Sequence, residues 1–134
     1  VKKRDVKESS QLDELDLVRL LSFARVGVGL FVGLMPRRAI HLWLGEAATP
    51  GLRHAARSVA GRDIALGLGT LVARDNDGDI ARWLEAQAMS DATDALATAA
   101  AFKHMPRGRR WLLLAMPIGA TILGLSLAAD FDDS

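Results

Sequence analysis

Residues 111–129 read WLLLAMPIGATILGLSLAA, nineteen positions without one charged side chain. At ~1.5 Å per residue, a helix of that length crosses a hydrocarbon core of roughly 30 Å. A helix in a water-soluble bundle keeps a polar face, and here only Thr121 and Ser126 offer one. Arg109 and Arg110 stand before the run, and Asp130, Asp132 and Asp133 follow it. Pro117 inside the run suits a membrane helix, where neighbouring helices re-satisfy the carbonyl that proline frees. A membrane span is the reading this segment favours. The alternative is a soluble four-helix bundle with the segment as its central helix.

Three more apolar blocks precede it, at 17–35 (ended by Pro36), 55–73 and 80–102. Gly and Ala dominate them, and no β-branched alternation with a hairpin turn is present, so helices follow rather than strands. The expected fold is all-α, a four-helix transmembrane bundle with a short interfacial helix between helices 1 and 2. Residues 1–16 mix charges of both signs without an apolar face and read as a polar, solvated arm; residues 17–134 form the membrane domain. A secretory signal is not expected, because Arg19 and Arg25 interrupt the first apolar block and no small-residue cleavage pattern follows.

Charge and composition exclude several function classes. Lys and Arg number 17 against 16 Asp and Glu, without the basic excess of a nucleic-acid binder. The absence of cysteine removes disulfides, thiolate zinc sites and thiol catalysis. Asp75, Asp77 and Asp79 match the first three ligand positions of a calcium loop. Ile80 then stands where glycine is needed and Ala86 where a bidentate Glu is needed. Asn76-Asp77-Gly78 reads as a polar turn between helices, and neither a metal nor a cofactor is expected.

Small residues four apart recur at Gly29 and Gly33, Ala65 and Gly69, Ala115 and Gly119, and Ala120 and Gly124. This spacing lets membrane helices approach closely. Between the first two blocks, Ile40, Leu42, Trp43 and Leu44 suit either a short interfacial helix with Trp43 at headgroup depth or a loop packed on the bundle. Trp83 and Trp111 fall near block ends, as an aromatic belt would place them.

If all four blocks span, the loops after blocks one and three share a side. That side holds Arg37, Arg38, Arg53, Lys103, Arg107, Arg109 and Arg110 with Glu46 the only acid, and also His41, His54 and His104, which lack metal-ligand spacing. The other side mixes Lys2, Lys3, Arg4, Lys7, Arg74 and Arg82 with many carboxylates. Basic residues near span ends favour the cytoplasm, which places both termini outside. Arg37, Arg38, Arg107, Arg109 and Arg110 are then the expected contacts with lipid headgroups.

The charges within the blocks are the informative ones: Arg25, Arg62, Asp63, Asp91 and Asp94. A charge deep in a bilayer costs several kcal/mol, so it faces the bundle and pairs. Measured from the loop side at ~1.5 Å per residue, Arg25 lies roughly 15 Å deep, Arg62 about 8 Å, Asp94 about 12 Å and Asp91 about 16 Å. Gln87, Asp91, Asp94 and Thr98 form one polar stripe on block three, which predicts that this stripe turns to Arg25 and Arg62. Three acids against two bases leave one carboxylate in excess, balanced by Arg57 or by a bound proton. Such a cluster serves either as an ion-pair network that fixes which helices meet or as a pocket for a headgroup, a small anion or a proton.

The stretches ARSVAGRDIALGLGTLVA and RWLEAQAMSDATDALAT resemble a family of small four-helix integral membrane proteins of bacteria, largely actinobacteria, whose function is unknown. The likeness rests on Gly-Arg-Asp at 61–63 and Asp-x-x-Asp-Ala at 91–95, and extends over about residues 23–129. It implies four membrane helices and supplies no reaction, cofactor or site. Residues 25–37 and 62–74 each begin and end with Arg, an echo open to two readings: a duplicated helix unit of the kind seen in transporters, or chance likeness between Gly/Leu-rich helices, which is favoured.

The function expected from these features is that of an accessory or interaction subunit of a larger cell-envelope membrane complex. Its partners would be membrane lipids and other membrane-protein subunits, with no nucleic acid. The alternative is a carrier or binder of a lipid or small anionic solute through the Arg/Asp cluster, with proton coupling as an option. Enzymatic activity is not expected, since nucleophiles are scarce in the apolar blocks and no His lies inside them to act as base.

Overall fold

The computed structural model describes the backbone of residues 2–45 and 47–132, and side chains from residue 8 on. Glu46, Asp133 and the side chains of Lys2, Lys3, Arg4 and Lys7, all weighed in the charge balance of the two sides, lie outside the described residues. The described residues form five α-helices in succession: α1 (Lys2–Leu34), α2 (Pro36–Leu44), α3 (Pro50–Asp75), α4 (Ile80–Ala101) and α5 (Arg110–Asp132). A 3-10 turn at Phe102–His104 extends α4. The described residues contain no strand.

The helix boundaries have local causes. Pro36 and Pro50 open α2 and α3 at the first turn, where a missing N–H costs nothing. Thr49 accepts a hydrogen bond from the Leu52 N–H at 3.2 Å, and Asp79 accepts one from Arg82 at 3.0 Å, as N-caps do. Gly45 ends α2 in the left-handed region at φ 70°, a conformation glycine adopts without steric penalty. The Asp75–Asp79 segment is the expected turn, with Asn76 capping α3 and Asp77 at φ 51°.

Two features extend beyond the pattern of apolar blocks. The polar arm is helical and continuous with the first block, giving α1 33 residues. Glu, Gln, Lys and Leu are good helix formers without an apolar face, and Glu8 to Asp13 stay exposed. The segment after Pro36 forms a helix that packs on the bundle. Ala39 is buried with Val32 and Ala60, and Trp43 lies against that cluster.

Helices α1 and α3 run antiparallel in close register. A Cβ on Gly67 would lie 2.8 Å from the Ser22 carbonyl oxygen, and one on Gly29 would lie 2.9 Å from that of Ala60. Arg74 donates to the Leu15 carbonyl at 3.3 Å one end further on. Helices α4 and α5 form a second antiparallel pair, with Gly124 against Ala88. Val18, Leu84, Leu127 and Ala128 join α1, α4 and α5 in a buried cluster.

Among the described residues, two helices, over Glu8–Leu34 and Arg110–Asp132, are long and apolar enough to cross a membrane. Only 22% and 11% of their apolar windows are buried inside the protein. A core helix of a soluble bundle would be mostly covered. Helices α3 and α4 fall short of that standard because charges interrupt them, so the four-span arrangement is narrowed to two candidate spans.

Candidate functional site: an ion-pair network joining three helices

The five charges singled out in the sequence meet. Arg25 on α1 donates through Nη1 to Asp63 Oδ1 on α3 at 3.1 Å and through Nη2 to Asp91 Oδ2 on α4 at 2.5 Å. Arg62 on α3 engages Asp94 on α4 with both η nitrogens, at 3.0 and 2.7 Å. The planar guanidinium fork matches a carboxylate in this geometry. Arg62 also donates to Asp63 Oδ1 at 3.2 Å through Nη2. The chain of contacts therefore runs Asp91, Arg25, Asp63, Arg62, Asp94, starting and ending on α4.

Helix periodicity explains how α4 supplies both ends, because residues three apart share a face. Arg25 and Asp91 are the most enclosed members, with side chains 14% and 11% exposed. Arg62 and Asp94 lie toward the edge. The excess acid is accommodated by sharing, since the one oxygen of Asp63 accepts from two guanidiniums. Arg57 does not join. It stands five residues before Arg62, about 140° around the helix, and is exposed.

One polar layer lies beside the network. Gln87, from the same stripe of α4, donates through Nε2 to Thr70 Oγ1 at 2.5 Å, and Thr70 in turn donates to the Leu66 carbonyl at 2.9 Å. Both residues are buried. Thr98, the last member of the stripe, is half-buried.

The basic residues expected at lipid headgroups divide into two groups. Arg109 is held by the protein, donating through Nη1 to the Leu42 carbonyl and, at 3.4 Å, to that of His41 at the end of α2. Arg110 lies over the Phe102 ring, 4.9 Å from its centroid. Arg107, Arg37 and Arg38 are exposed, as are His41, His54 and His104. Trp111 packs edge-on against Phe102 with centroids 4.8 Å apart, and the Trp83 ring covers Gly69.

Sequence reasoning missed Gly67, the closest backbone approach to α1, because it has no partner at a spacing of four within α3. It grouped Arg37, Arg38 and Arg53 on one side but left out Arg57, which the fold brings beside them. Among the described residues, no group of three or more His, Asp or Glu is placed to hold a metal ion. No family model, curated protein or solved structure matches the chain.

Proposed function

We propose that this is a small multi-pass membrane protein acting as an accessory or interaction subunit of a larger envelope complex, with both termini outside. The observation that carries this reading is the bareness of α5, whose apolar window is 11% buried. Trp111, Leu112, Met116, Ile118, Ile122, Leu123 and Leu125 are all exposed on it. Apolar surface on this scale needs lipid or another protein against it. Ala115 and Gly119 leave a small-residue face of α5 open, suited to close approach by a partner helix.

The Arg/Asp network supports a scaffolding role over a carrier role, because both arginines are already engaged by carboxylates. It specifies which helices meet, a use to which buried ion pairs are well suited. A carrier reading draws on one observation, the third carboxylate against two guanidiniums.

Mild detergent extraction followed by native mass spectrometry separates the two. An accessory subunit travels with larger proteins in fixed ratio, and Asp91→Asn weakens that assembly. Purification as a lone chain that keeps its fold, with bound lipid or solute lost in Asp91→Asn, would favour the carrier instead.

A further inference from the structure

Where α1 gives way to α2, a groove of about 730 Å³ opens, and Arg37, Arg38, Arg53, His54 and Arg57 line it. Among the described residues, no acid contributes to its wall. Arg25, Arg62, Arg74 and Arg82 make ion pairs, whereas Arg19 and Arg110 lie against aromatic rings and Arg109 donates to backbone carbonyls. Among the described residues, the four arginines of the groove make none, and Arg38 donates only to the Met35 thioether.

Four permanent positive charges around one volume repel each other, and the helix ends beside them add to the same sign. Pro36 and Pro50, the first residues of α2 and α3, both border the groove. Neither first turn contains an acid, and Met35 gives α2 no side-chain cap. The N-terminal end of a helix favours anions and disfavours cations. Arg37 and Arg38 in the first turn of α2 are therefore unfavourably placed for the empty protein and favourably placed for one that holds an anion.

We infer that this groove binds a phosphate-bearing anion, whether the phosphate belongs to a lipid headgroup or is free. Guanidiniums pair with phosphate oxygens bidentately, and several of them match the multiple charge of a phosphate better than that of a carboxylate. The volume lies within the roughly 300–1,000 Å³ of small-molecule sites, larger than a single monovalent ion needs. Leu34 and Met35, both exposed, stand at the same groove and offer an apolar seat for the organic part of a phosphate ester. The inference stands on the groove itself and does not depend on the subunit role.

The test uses the full chain in neutral detergent, titrated with inorganic pyrophosphate, dioctanoyl phosphatidic acid and, as zwitterionic control, dioctanoyl phosphatidylcholine. Binding is read by calorimetry and by native mass spectrometry. Arg53→Gln with Arg57→Gln, and separately Arg37→Gln with Arg38→Gln, should each weaken binding by about tenfold or more, the expected loss for one charged hydrogen bond or more. Arg82→Gln with Lys103→Gln removes the same charge elsewhere and should bind as the unaltered protein does. Binding of both phosphates identifies the phosphate group as the recognised element; phosphatidic acid alone identifies a lipid source, and pyrophosphate alone a free one. The inference is overturned if neither phosphate binds, if phosphatidylcholine binds as well as they do, or if both groove variants, with helicity retained, bind like the unaltered chain. It is overturned equally if the control variant loses as much affinity as the groove variants. Arg37, Arg38 and Arg57 are exposed, so the first-turn pair remains informative should Arg53 prove necessary for folding.

Discussion

Arg25 Nη2 and Asp91 Oδ2 lie 2.5 Å apart, with both side chains nearly enclosed, although they belong to the first and fourth helices of the chain. The contact ties the α1–α3 pair to the α4–α5 pair near the middle of the molecule. The buried cluster of Val18, Leu84, Leu127 and Ala128 makes a second tie toward one end.

Breaking that contact from one side should be costly, because it strands an enclosed charge. Arg25→Gln is expected to lower stability by about 3–5 kcal/mol, read as loss of helicity during denaturation in mixed micelles. Replacing both partners by apolar side chains, Arg25→Met with Asp91→Leu, should recover about half of that loss or more, since Asp63 keeps Arg62 and no charge is stranded at residue 91.

The α1–α3 register makes a prediction at Gly67, with Gly119 on α5 as its control. Gly67→Ala drives a methyl against the Ser22 carbonyl and the Val26 side chain, at 2.8 and 2.6 Å, and should destabilise by about 1–3 kcal/mol. Gly119→Ala meets nothing within 4 Å and should stabilise the helix by about 0.5–1 kcal/mol through propensity alone. The same denaturation series measures both.

These two positions also mark how far the sequence carries. Arg25, Arg62, Asp63, Asp91 and Asp94 were legible as a converging set, because charges inside apolar blocks must find partners and a helix fixes their depth and face. Pro36, Pro50 and Asn76-Asp77-Gly78 made the helix boundaries legible for equally local reasons. Gly67 was not legible, since which glycine meets α1 depends on the register of two helices, a tertiary quantity. The helicity of the arm was hidden because it owes nothing to an apolar pattern. Arg109 illustrates a third limit: in the chain it is one of a basic run, and only the fold brings the end of α2 within its reach.

The buried polar layer should behave as a coupled unit. Gln87→Leu and Thr70→Val each remove one side of the 2.5 Å contact. A double-mutant cycle between them should show a coupling of about 1 kcal/mol, while Gln87→Leu combined with Gly119→Ala, a distant site, should be additive within about 0.5 kcal/mol.

The membrane architecture depends most on α5 lying in lipid, and the absence of cysteine makes that position directly measurable. Single cysteines placed at Ile118, Ile122 and Leu125, all exposed on α5, can carry spin labels in protein reconstituted into phospholipid vesicles. Collision with dissolved oxygen should exceed collision with a water-soluble nickel chelate at all three sites, and most strongly at Ile122 near the helix centre. Free collision with the nickel chelate at every one of them would place α5 in water and contradict the membrane architecture.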